Sequence, residues 1–88
     1  MLTDLLRSHR HSSRHRAEVL ASRECGCFHC VRTFPPSGIR EWIDGGETAL
    51  CPECGIDAVI GSESGCPVGD PRFLRRMYEF WFNTFKGP

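Results

Sequence analysis

The chain has 88 residues, 11 Lys+Arg against 11 Asp+Glu, and six cysteines. A typical domain takes about 100–150 residues, so one domain over 1–88 is expected. A hydrophobic content of 40% excludes a disordered polar tail. No apolar run approaches the roughly 20 residues needed to cross a bilayer, which argues against a membrane protein. Met1–Arg7 is too acidic and too briefly apolar to read as a signal peptide. The expectation is therefore a cytoplasmic chain with reduced thiols, where cysteines point to metal before disulfides. A chain this short buries only about 60% of the surface its unfolded form exposes, so such a staple meets a need.

The neutral total hides a segregation. Residues 1–40 carry seven Arg against Asp4, Glu18 and Glu24, a net +4; residues 41–70 carry seven acidic groups and no Lys or Arg; residues 71–88 carry a net +3. Two readings follow: the basic ends neutralise the acidic middle internally, or the basic segment meets an anion.

Residues 1–24 form a basic helical region. Leu2, Leu5 and Leu6 predict one apolar helical turn, and Ala17, Leu20 and Ala21 a second, with Ser12 or Ser13 as its cap. The polar stretch between them implies either two short helices around a joint or one bent helix. Arg7, Arg10, Arg14 and Arg16 are candidates for nucleic-acid or anion contact. His11 and His15 lie four apart among these arginines, which disfavours a cation site and reads best as solvated basic surface.

Residues 25–61 form the core segment. Cys25 to Phe34 predicts a turn leading into a strand, which Pro35-Pro36 ends. Ile39, Trp42 and Ile43 have helical spacing and predict about two turns of helix, closed by Asp44-Gly45-Gly46. Ile56 to Ile60 alternates like a strand, and 61–69 reads as a loop. The clearest helix spans 70–86, with Asp70 as N-cap and Pro71 at the first position. Its apolar side carries Phe73, Leu74, Met77, Phe80, Trp81 and Phe85, opposite Arg72, Arg75, Arg76, Glu79, Asn83 and Lys86. That face either closes the core or meets a partner, in which case Phe73, Met77, Trp81 and Phe85 are the interaction candidates.

The chemistry lies in Cys27-x2-Cys30 and Cys51-x2-Cys54, separated by 20 residues. Two residues between cysteines let both thiolates curl around one ion, and two such knuckles complete a tetrahedral sulfur site. Closed thiolate tetrahedra suit Zn2+, so one structural Zn2+ on Cys27, Cys30, Cys51 and Cys54 is expected, with rubredoxin-type iron as the competing metal. Cys25, His29 and Cys66 are alternative ligands with poorer placement. The fold class that follows is α+β: a small zinc-ribbon or treble-clef-like core with an N-terminal helical region and a C-terminal amphipathic helix. Ribbon and treble clef differ in whether Cys54 opens a strand or a helix.

The run Cys25-Gly26-Cys27-Phe28-His29-Cys30, with Thr48-Ala49-Leu50-Cys51-Pro52-Glu53-Cys54-Gly55-Ile56-Asp57-Ala58-Val59-Ile60-Gly61, resembles small bacterial cytosolic zinc-binding proteins. The similarity covers roughly residues 11–82, including the His11-Ser12-Ser13-x-His15-Arg16 stretch, and implies a zinc fold and a cytosolic location without an activity. A more distant likeness is to the treble-clef scaffold of HNH-type nucleases, in which two such cysteine pairs bracket a catalytic histidine. Here residues 31–88 contain no histidine, so the base for that chemistry is missing.

No phosphate-cradling loop, serine elbow or HExxH helix is present. Composition permits a thiol nucleophile from Cys25 or Cys66 with one of the histidines, but no motif supports it. A four-cysteine metal site has no open position for water. The sequence thus points to a non-enzymatic binding module. A protein partner or a second copy is preferred over nucleic acid because of the neutral charge, and no small-molecule substrate is identified.

Overall fold

A computed structural model describes residues 2–82, with side chains from Asp4 onward. It is a small α+β domain with helices at its N-terminus and a helix at its C-terminal end. Helix α1 (Leu2–His9) runs through a 3-10 turn (Arg10–Ser12) to a short helix α2 (Arg16–Leu20). The basic region is therefore two helices around a joint. Its apolar positions differ from those expected. Leu6 and Leu20 face solvent, and Val19 carries the buried face of α2. Neither serine caps α2: its N-cap is His15, and the Ser12 hydroxyl donates to the His9 carbonyl at 2.7 Å instead.

Strand β1 (Cys25–Cys27) turns through the first cysteine pair into β2 (Arg32–Phe34), and both pair antiparallel. Pro35 then ends the strand, because proline cannot supply the next ladder donor. Strands β3 (Trp42–Ile43) and β4 (Thr48–Ala49) form a separate hairpin, with Trp42 opposite Ala49 and Ile43 opposite Thr48. This overturns the helix expected over Ile39, Trp42 and Ile43. Asp44, Gly45 and Gly46 all adopt positive φ, a run that turns the chain back on itself and extends Trp42-Ile43 as a strand. The Thr48 hydroxyl donates to the Asp44 carboxylate at 2.8 Å across that turn.

Strand β5 (Val59–Gly61) completes a three-stranded sheet in the order β2-β1-β5, with Cys27 opposite Val59 and Cys25 opposite Gly61. The predicted alternation fails there because Val59, Ile60 and Gly61 are all buried, as befits a strand covered on both faces. Helix α3 (Pro71–Trp81) begins as expected: the Asp70 carboxylate accepts the Arg72 amide N–H at 2.9 Å. The part of the predicted 70–86 helix beyond residue 82, with Asn83, Phe85 and Lys86, lies outside the described residues. Phe73, Leu74 and Met77 of α3 pack against the sheet, together with Phe28, Val68 and Val19. Close packing is possible because β1 carries Gly26. A Cβ there would stand 2.9 Å from the Val68 carbonyl oxygen and 3.1 Å from Leu74.

Candidate metal centre

The two knuckles are built alike. In the first, Cys27 closes β1 and the Val31 amide donates back to the Cys27 carbonyl at 2.8 Å. In the second, the Gly55 amide donates to the Cys51 carbonyl at 2.9 Å. Three amides turn inward to the sulfurs: His29 N–H to Cys27 Sγ at 3.4 Å, Glu53 N–H and Cys54 N–H to Cys51 Sγ at 3.3 and 3.4 Å. Such donors favour the thiolate form.

The Cys27 and Cys54 sulfurs lie 3.7 Å apart, as do those of Cys30 and Cys51, and all four sit within 4.8 Å of one another. Four sulfurs about 2.3 Å from a central Zn2+ would stand about 3.8 Å apart at the edges of their tetrahedron. The quartet therefore fits a tetrahedral ion. Cys27 and Cys51 are buried, whereas Cys30 and Cys54 are partly exposed. Burial pushes the Cys27 thiol well up and that of Cys30 to about 11. At Cys51 burial acts the same way but is outweighed by the Cys54 and Glu53 amide donors together with hydrogen bonds from the Cys30 and Cys27 thiols, and the group falls below its ordinary value. Four clustered thiolates need a counter-charge that a divalent cation supplies.

The alternative ligands stand apart from the cluster. His29 turns its ring edge-on to Phe82, centroids 4.8 Å apart, and to Tyr78 at 6.0 Å, with its Nδ1 buried and, among the described residues, unpartnered. Cys25 is fully buried in β1, and burial, then Glu24, raises its thiol to about 11. The Cys66 thiol donates to Ser8 Oγ at 3.4 Å. None of the six cysteines is disulfide-bonded.

The basic stretch is not a free surface throughout. His15 is buried. Its Nδ1 donates to the His11 carbonyl at 2.6 Å while its Nε2 accepts the Ala49 amide N–H at 3.1 Å. This pairing requires the neutral ring. The segment is further tied to the β3–β4 hairpin by His15 N–H to Glu47 O at 2.7 Å and Arg14 N–H to Thr48 Oγ1 at 2.8 Å. Arg16 donates to Gly46 O at 2.9 Å and lies 4.6 Å over the Trp42 ring. The expectation of a solvated His15 is thus corrected: its partner sits 34 positions away, and no local spacing signals it. His11 instead binds the Glu18 carboxylate at 3.0 Å. Arg7, Arg10 and Arg14 are exposed.

Among the described residues, the basic ends meet the acidic middle in two exposed ion pairs, Arg32–Glu53 and Arg72–Asp70. Of the interaction candidates, Phe73 and Met77 are core residues, 3% and 0% exposed, so a partner cannot reach them without unfolding α3. Trp81 is partly buried, donating Nε1–H to Leu5 O at 3.3 Å, with its ring centroid 3.9 Å from that of His9 at a tilt of 33°. Phe85 lies outside the described residues. Among these residues no helix is long and apolar enough to cross a membrane. Family models, curated proteins and solved structures were all compared with the chain, and none matches.

Proposed function

We propose that Cys27, Cys30, Cys51 and Cys54 hold one structural Zn2+ and that the chain is a non-enzymatic, cytosolic binding module. The observation that carries this is the sulfur quartet, with two 3.7 Å separations and inward amide donors. Four protein sulfurs leave no coordination position for water, so such an ion organises the fold rather than a reaction. Of the two core types, the ribbon is favoured, since the chain after Cys54 proceeds through a turn to β5 rather than into a helix. The same path, with no histidine after His29, speaks against HNH-type nuclease chemistry.

The partner surface we assign is the aromatic end of α3, where Phe82 is 45% exposed beside Tyr78 and Trp81. Native mass spectrometry of protein purified from lysate tests both parts. One Zn2+ per chain, with a dimer or a protein complex lost in Phe82→Asp while zinc remains, is the expected result. A monomer without associated species sinks the partner reading, and a folded chain without metal sinks the zinc reading.

A second reading rests on the exposure of Arg7, Arg10 and Arg14, which could contact phosphates. It predicts an affinity whose logarithm falls with log salt by about 0.9 per phosphate contact on duplex DNA. Absence of binding to duplex or single-stranded probes at low salt removes it.

A further inference from the structure

A cavity of about 290 Å3 lies between α1, the start of α3 and the 64–67 loop, away from the sulfur quartet. That volume is at the lower end for small-molecule sites, so it suits a compact ligand. Leu5 and Phe73 are apolar residues of its lining, and Arg7, Arg76 and Asp4 are the charged ones. The fixed charges there sum to a net +1, which favours an anion.

Two further groups give the cavity chemistry. Ser8 is only 6% exposed and lines it. Its Oγ accepts the Cys66 thiol at 3.4 Å, and a serine hydroxyl carries one O–H donor besides the lone pair used there. A hydroxyl that lines a cavity can donate to a ligand held there. Cys66 is the one cysteine that is both outside the quartet and partly exposed, since Cys25 is fully buried.

We propose that this cavity binds a small anionic disulfide and that Cys66 exchanges with it to form a mixed disulfide. Arg7 and Arg76 attract the ligand's carboxylate. As Cys66 loses its proton to solvent, the Ser8 hydroxyl reverses its bond and donates to the sulfur across the same contact. The thiolate attacks one ligand sulfur, the Cys66–sulfur bond forms, and the ligand's S–S bond breaks. The departing half leaves as a thiolate with the bonding electron pair and takes up a proton from solvent. Cys66 is oxidised, one half of the ligand is reduced, and no other oxidant is needed.

Zinc-loaded protein is treated with dithiodipropionate, hydroxyethyl disulfide and cystamine, which are anionic, neutral and cationic disulfides of similar size. Rates are read by intact mass and divided by those of a small neutral thiol. The expected result is a single adduct mapping to Cys66 with zinc retained. The anionic reagent should react about tenfold or more faster than the cationic one at low salt, the gap narrowing as salt rises. Arg7→Gln with Arg76→Gln should erase the preference, and Ser8→Ala should slow all three reagents. Equal normalised rates overturn the proposal, as does a preference that survives loss of both arginines. An adduct on Cys25 or a quartet cysteine, or a disulfide-linked dimer in place of the adduct, overturns it too. Zinc loss on an otherwise Cys66-specific reaction would bear on the metal reading alone.

Discussion

Val31 and Gly55 occupy the same place in the two knuckles. Each directly follows the second cysteine of its pair, each is in the left-handed backbone region (φ 61° and 80°), and each donates its amide to the carbonyl of the first cysteine. That conformation costs a β-branched residue about 1–2 kcal/mol and glycine almost nothing. Val31 is held there by the cysteines on its N-terminal side and by its packing against the core.

An asymmetric outcome is expected when the two positions are exchanged. Gly55→Val should lower unfolding free energy by about 1–2 kcal/mol. Val31→Gly should lie within about 1 kcal/mol of the parent, because relief of the backbone offsets the lost packing. Denaturant unfolding of the metal-loaded proteins measures both; equal losses at the two sites would contradict the equivalence.

Cys51 accepts two amide donors and lies 3.7 Å from Cys30. Cys51→Ser should therefore lose bound metal and the cooperative unfolding transition together, and a strong chelator should do the same to the parent. Cys25→Ser and Cys66→Ser should keep one metal ion per chain. Elemental analysis beside circular dichroism separates these cases, and a folded, metal-free Cys51→Ser would refute the coupling.

His15 bridges the His11 carbonyl and the Ala49 amide as a neutral ring, and burial lowers its pKa below the ordinary 6.5. The unfolded chain therefore binds the proton more readily than the folded one. The contribution of His15 is fully present above pH 6.5 and declines as pH falls through that value toward the lower folded pKa. His15→Gln should cost about 1–3 kcal/mol at pH 7.5 and should lose part of the fall in stability toward pH 6. Unfolding of both metal-loaded proteins across that range is the measurement; identical slopes would show that His15 does not titrate as its burial requires.

Gly26→Ala should destabilise by about 1–3 kcal/mol, since the added methyl meets the Val68 backbone carbonyl at 2.9 Å rather than a movable side-chain tip. A thermal shift smaller than that of a Gly38→Ala control, where an added Cβ meets nothing within 4 Å, would contradict the packing.

Local rules made several features legible. Cysteine spacing named the quartet because each knuckle is a four-residue unit whose geometry needs little from elsewhere. Asp70 and Pro71 announced α3 because capping is decided within a single turn. The same rules failed at Trp42 and Ile43, whose helical spacing was outweighed by the positive-φ turn at Asp44-Gly45-Gly46 and by pairing with Thr48 and Ala49. They also failed at Leu20 and Val19, where orientation of a five-residue helix depends on what it packs against.

By itself, then, the amino-acid order determined which four thiols gather, where the last helix starts and that Pro35-Pro36 ends β2. These depend on bonds and torsions a few residues apart. Only the folded chain decided that His15 is a buried clasp on β4, that Phe73 and Met77 are core, and that Arg7, Ser8, Cys66 and Arg76 face one cavity. Those relations join positions 34 to 69 residues apart, and their energy exists only once packing has excluded water between them.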